Sequence, residues 1–175
     1  MSLDPVLLDL SRQVGERLLA ARLRLVTAES CTGGWLSKVI TDVPDSSKWF
    51  ECGYVVYSNR AKVQDLGVSE ATLDRHGAVS EATVREMAQG ALRVAGGDVA
   101  IAVSGVAGPA GGTPEKPVGT VWLCVGLRQA SAEPLLTARV EHFPGDRESV
   151  RYFSVRKALQ LILGLELGAP SGRAG

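Results

Sequence analysis

Five short apolar runs constrain the architecture most. Leu23 to Ala28, "WFECGYVVYS" (49–58), "DVAIAVSG" (98–105), "TVWLCVGL" (120–127) and "LLTARVEHF" (135–143) are each of strand length and bounded by turn residues. Helical periodicity separates the first three. Leu7, Leu10, Val14 and Leu18 recur at spacings of three and four, marking an amphipathic helix over 5–21 ahead of the first strand. A second helix should begin near Cys31, carry Trp35, Leu36, Val39 and Ile40, and stop before Pro44. A mostly helical stretch follows from about Arg60 to Ala95. "VSEAT" occurs twice within it, at 68–72 and 79–83, where Ser69 and Ser80 are good N-caps. The later of these helices places Val84, Met87, Ala88 and Ala91 on one face. The last two strands are separated only by a loop around Ser131 to Pro134. A final helix then runs from near Asp146 to about Leu167, with Val150, Phe153, Leu159 and Leu163 inward.

Strands alternating with helices require crossovers and parallel pairing, whereas strands in direct succession pair antiparallel. The expected fold is therefore α/β: a three-layer α/β/α sandwich with a mixed, mostly parallel sheet of about five strands. A chain of 175 residues suits one domain, expected over 1–168, with a disordered tail at 169–175. With 19 basic and 19 acidic residues, nothing in the charge balance points to nucleic acid or a membrane surface. The apolar runs are too short to span a bilayer, and the N-terminus lacks a basic segment followed by an apolar core. A cytoplasmic protein is the default expectation. Cys31, Cys52 and Cys124 are odd in number and lack CxxC spacing, and His76 and His142 lie far apart. Neither a disulfide framework, a metal nor another cofactor is expected.

Polar chemistry gathers after three strand ends, where ligands collect in such sheets. In "AESCTGG", Ser30 either caps the next helix or acts as a nucleophile whose oxyanion meets free N–H groups. Gly33 stands where a capping box has Glu or Gln, and two glycines in a first turn suit a ligand better than a helix. Cys31 is a rival nucleophile, or a buried small hydrophobe. Glu29 either orients a cation or is a surface carboxylate favoured near a helix N-terminus. In "YSNRAK", Lys62 falls in a first helical turn if Asn59 is the cap. A cation is disfavoured there, so Lys62 is either a base kept neutral or a solvated charge. Finally, "SGVAGPAGGTPEKPVGT" (104–120) holds five glycines and three prolines and can present N–H groups to an anion, although it is neither a P-loop nor a dinucleotide turn. Lys116, Arg147 and Arg151 are candidate ligand contacts or ordinary surface cations.

The motifs "AESCTGG", "YSNRAK", "HGAVSE", "SGVAGPAGGTPEKPVGTV" and "GDR" occur together and in order. In this the chain resembles the CinA C-terminal domain family, the competence/damage-inducible group whose single-domain members are nicotinamide-nucleotide amidases. The resemblance covers roughly residues 5 to 165. It implies an α/β/α fold, a small-molecule nucleotide substrate, a homo-oligomer (a dimer), and a serine–lysine site without a metal. Its motifs place the nucleophile at Ser30, the base at Lys62 and a proton-positioning third member at Tyr57. The implied surroundings of the substrate are Glu29, Cys31, Thr32, Gly33 and Gly34, with Asn59 beside the lysine. The Gly/Pro loop adds Ser104, Gly105, Gly108 and Lys116, closing over ribose and phosphate, and Arg147 follows near the charge. The alternative within the family is a non-catalytic nucleotide-binding or assembly module. Two departures stand out: Ser104-Gly105-Val106 replaces the usual Thr-Gly-Ile, and Cys52-Gly53 replaces two glycines. A cysteine at 52 would narrow the pocket if backbone there approaches the ligand.

Overall fold

The computed structural model describes residues 4–130 and 133–167. The tail expected at 169–175 and part of the 131–134 loop lie outside them. The first helix, α1, spans Pro5–Ala21, with Pro5 at its start and the Asp4 carboxylate accepting the N–H groups of Val6 and Leu7. Then come β1 (Leu25–Glu29), α2 (Trp35–Thr41), a 3₁₀ turn (Ser46–Lys48) and β2 (Phe50–Val55). Three helices follow, α3 (Asn59–Leu66), α4 (Glu70–His76) and α5 (Glu81–Ala95). After β3 (Val99–Gly105), β4 (Thr120–Leu127) and β5 (Leu135–His142) run in succession, and α6 (Arg147–Leu163) closes the fold.

The strand order is β2-β1-β3-β4-β5. β1 pairs parallel with both β2 and β3, while β3–β4 and β4–β5 pair antiparallel, so four strands point one way and β4 alone is reversed. Alternation along the strands separates two cores. Leu25, Ile101, Val103, Leu123 and Val125 face α1, α2 and α6. Val26, Ala28, Ala100, Ala102 and Cys124 face α3, α4 and α5. This is the three-layer arrangement expected, and the succession of β4 and β5 gives the expected antiparallel pair. No helix among the described residues is long and apolar enough to cross a membrane.

Two boundaries depart from sequence expectation. α2 begins at Trp35 instead of near Cys31, because Gly33 and Gly34 adopt positive φ (61° and 91°), which breaks the helical path. α6 stops at Leu163, and its buried face is Val150, Val155, Ala158, Leu159 and Ile162, with Phe153 and Leu163 half-buried. Cys52 packs on the α5 side of β2 and does not narrow the turn that follows β1. Its neighbour Gly53 faces α2, where a Cβ would meet Ser37 Oγ at 2.3 Å and Thr27 Oγ1 at 2.7 Å.

The small residues of the second core let α5 sit close to the sheet and to α3. A Cβ on Gly90 would stand 2.0 Å from the Leu66 carbonyl oxygen, on backbone that cannot yield cheaply. Alanine is the better helix former by about 1 kcal/mol, yet overpacking of this kind costs about 1–3 kcal/mol. Gly90→Ala should therefore lower stability in urea titration. A midpoint equal to or above wild type would show that α3 and α5 separate freely.

Candidate active site

Parallel strands β1, β2 and β3 end at one edge of the sheet, and the reversal of β4 brings Thr120, His142 and the start of α6 to the same edge. The turn after β1 is built on Glu29. This carboxylate is fully buried and accepts five hydrogen bonds: from Thr32 Oγ1 (2.7 Å), the N–H groups of Gly34 (3.0 Å), Leu36 (3.0 Å) and Ser37 (2.8 Å), and Ser37 Oγ (2.6 Å). With its proton directed to Glu29, Ser37 Oγ accepts from Thr27 Oγ1 at 2.7 Å. Glu29 is thus neither a surface group nor free to bind substrate; it caps α2 from the preceding strand, where the helix dipole favours negative charge.

That arrangement removes capping from Ser30. The N-cap position of α2 is Gly34, and the Ser30 hydroxyl turns instead to Lys62, with Nζ at 3.1 Å from Oγ. Ser30 is held by its own N–H, which donates to the Val103 carbonyl of β3, and it retains 8% exposure. Lys62 is 1% exposed and also donates to the carbonyls of Val56 (2.9 Å) and Tyr57 (3.1 Å). Burial pushes its pKa down from the ordinary lysine range, and no carboxylate among the described residues offsets this. The cap of α3 is Ser58, whose Oγ accepts from Ala61 N–H; Asn59 is the first helical residue, which keeps Lys62 in the first turn.

Cys31 is buried, and burial raises its thiol pKa to about 12, so it stays protonated at neutral pH. Gly33 N–H already donates to the Ser30 carbonyl (3.1 Å), so it is no longer available for the oxyanion. Among the described residues the N–H groups of Cys31 and Thr32 bond to no other residue. Tyr57 departs most from expectation. Its ring lies on the rim, 61% exposed, and its hydroxyl accepts from Arg147 Nη2 at 3.1 Å rather than facing Lys62. The chain alternates here, so Val56 points inward and Tyr57 outward, and only the Tyr57 carbonyl reaches Lys62.

The Gly/Pro loop lies beside this site. Arg147 donates its other arm to the Gly108 carbonyl (2.8 Å), ahead of a cis Gly108–Pro109 bond. Ser104 Oγ bonds to the Ala78 carbonyl (2.7 Å), and Gly105 sits where a Cβ would meet Val121 at 2.6 Å. Lys116 reaches away, its Nζ at 2.7 Å from the His76 carbonyl, so it ties the loop to "HGAVSE". Arg151 is neither an ordinary surface cation nor a free phosphate ligand. It donates to the carbonyls of Cys31 (3.1 Å) and Thr32 (2.8 Å) and stands over the Trp35 ring. The role of Arg151 was not legible in the sequence, since 120 residues separate it from Cys31.

Beyond the turn, Gly33, Gly34, Trp35, Lys38 and Arg151 line a cleft of about 450 Å³. A larger cavity, about 530 Å³, lies at the opposite edge of the sheet. Its guanidinium groups, Arg93 and Arg128, are engaged by the carbonyls of Leu66, Gly97 and Leu92. The Ser30–Lys62 edge is where a poised hydroxyl and a buried amine meet. Among the described residues no cluster of metal-ligating side chains is present.

Residues 7–165 match the family model described as the CinA C-terminal domain. The chain is 54% identical over 159 residues to the nicotinamide-nucleotide amidohydrolase PncC of Escherichia coli (strain K12), covering 91% of this chain and 94% of that protein. It is 47% identical to PncC of Pseudomonas putida, covering 93% and 98%. The crystal structure of the competence damage-inducible protein A from Klebsiella pneumoniae superposes with a TM-score of 0.85 at 42% identity, covering 90% and 96%.

If Glu29 holds the turn through five donors, Glu29→Gln leaves at least one N–H donor facing an amide NH₂. A lost hydrogen bond to a buried charge costs about 1.5–3 kcal/mol. The variant should melt at lower temperature than wild type; an unchanged melting temperature would mean the network carries no stability.

Proposed function

Because the chain belongs to the CinA C-terminal domain family, we propose that it is a nicotinamide-nucleotide amidase, converting nicotinamide mononucleotide and water to nicotinic acid mononucleotide and ammonia, with Ser30 as nucleophile and Lys62 as base. The observation that carries this reading is the environment of Lys62. Two of its three partners are carbonyls, which only accept. A neutral amine has two N–H bonds for those carbonyls, which leaves its lone pair for the Ser30 hydroxyl. Burial favours that neutral form.

In this mechanism Ser30 Oγ attacks the carboxamide carbon as its proton passes to Lys62 Nζ. The carbonyl oxygen becomes an oxyanion near the Thr32 and Cys31 N–H groups, each such donor being typically worth about 3 kcal/mol. The tetrahedral species collapses by breaking the C–N bond, and Lys62 returns the proton to the departing ammonia. Water then attacks the ester, giving its proton to Lys62, and the serine leaves with that proton restored. Tyr57 contributes its carbonyl to orient the amine, while its hydroxyl and Arg147 stand at the rim. There Arg147, with the Tyr57 O–H, suits an anionic phosphate.

The test is ammonia and nicotinic acid mononucleotide release from nicotinamide mononucleotide by the purified protein. Ser30→Ala and Lys62→Met should each lower kcat by more than about 1,000-fold, while Cys31→Ser keeps most activity. Turnover surviving in Ser30→Ala removes the nucleophile assignment; a folded wild type that binds the nucleotide without turnover points to a binding module.

The pH dependence has a definite sign. Lys62 acts only when unprotonated, so kcat falls on the acid side and levels off once its proton is lost. Since burial lowers the Lys62 pKa, the plateau should begin below the free lysine value near 10.4. A rate still climbing through that value would place an ordinary solvated lysine at the site.

A further inference from the structure

The turn after β1 is gripped from two sides. Glu29 takes the N–H groups of Gly34, Leu36 and Ser37, and Arg151 takes the carbonyls of Cys31 and Thr32. We propose that Arg151 is a positioning residue for the reaction, orienting and polarising the Cys31–Thr32 peptide so that the Thr32 N–H serves as the oxyanion donor. This rests on the amidase reading with Ser30 as nucleophile.

In a trans peptide the C=O and the following N–H point in opposite directions. The adjacent peptide displays the consequence. Its Thr32 carbonyl meets Arg151 Nη2 at 2.8 Å, and its Gly33 N–H, on the far side, reaches the Ser30 carbonyl at 3.1 Å. By the same geometry the Cys31 carbonyl, 3.1 Å from Arg151 Nε, sends the Thr32 N–H away from the guanidinium and toward the serine side. That N–H has no partner residue among those described. A charged donor on the carbonyl draws electron density from the whole amide and makes its N–H a stronger donor.

The residue type fits this task. A guanidinium fork spans two successive carbonyls, and its Cζ stands over the Trp35 ring, 5.4 Å from the centroid. An ammonium, a single point of charge on a flexible stem, has no planar fork to fix both carbonyls in one orientation. The turn does not need Arg151 to fold, because the Glu29 bonds to Thr32, Gly34, Leu36 and Ser37 remain without it.

The experiment compares wild type with Arg151→Gln and Arg151→Lys in two assays. One is hydrolysis of nicotinamide mononucleotide. The other is the rate at which an alkyl fluorophosphonate labels Ser30, where Oγ bonds to phosphorus, fluoride leaves and the serine proton passes to Lys62. Losing one whole oxyanion donor lowers kcat about 100- to 1,000-fold, so a weakened one should lower it about 10- to 100-fold. The expected result is that drop in Arg151→Gln with KM close to wild type, an equal drop in labelling rate, a cooperative melt at a lower temperature that still leaves the variant folded at the assay temperature, and partial recovery in Arg151→Lys. Unchanged kcat, or a raised KM with kcat intact, overturns the proposal. A wild type that is labelled but does not hydrolyse the nucleotide defeats the substrate assignment alone, and the labelling ratio then decides on Arg151. A wild type that is not labelled leaves no oxyanion to serve and overturns both.

Discussion

A carboxylate removed from water is tolerable only when its oxygens are fully hydrogen-bonded, and Glu29 meets that demand with the first turn of α2. The rest of the site follows from this one requirement. α2 must start late, at Trp35, so that its free N–H groups point back to the end of β1. The five residues between must curl tightly, which calls for positive φ at Gly33 and Gly34. The space behind the carboxylate is filled by Ser37 and Thr27, and β2 must pass over them without a side chain at Gly53. Because the helix is capped from the strand, the serine that sequence position suggests as its cap is left with an unused hydroxyl. A structural network thereby frees a hydroxyl to meet Lys62.

Lys62 shows the opposite economy. Its amine is buried, is held by two carbonyls and a hydroxyl, and meets no carboxylate among the described residues. A lysine so placed is poorer for stability than a solvated one, since desolvation disfavours the charged form. Perturbed, desolvated groups of this kind cluster at working sites. The two buried ionisable groups on this edge therefore divide the labour. Glu29 is fully compensated and fixes the backbone, while Lys62 is held beside Ser30 by neutral groups.

Much of this was legible from the chain itself. The α1 limits follow from Pro5, the Asp4 cap and the spacing of Leu7, Val14 and Leu18. The strands were visible because apolar runs of that length have few other uses, and the order of connections predicts which pairs are antiparallel. Ser30 and Lys62 stood out as local misfits, a poor capping box and a cation in a first turn, and the fold brings them within 3.1 Å. The late start of α2, the depth of Glu29, the outward ring of Tyr57 and the grip of Arg151 were not legible. Each depends on a partner in a distant segment or on which way one residue faces at a strand end, and local pattern contains neither.

The reversal of β4 has a consequence in the order of synthesis. It returns the chain to the edge it has already built, so that α6 delivers Arg147 to Tyr57 and Gly108, and Arg151 to Cys31 and Thr32. A nascent chain leaving the ribosome exposes Ser30 and Lys62 long before α6 exists. The serine turn is then secured by Glu29 and by the Ser30 bond to Val103, and the grip of Arg151 closes only when the last helix docks on the first core, alongside α1. If this edge carries the proposed chemistry, that chemistry is timed to the completion of the domain.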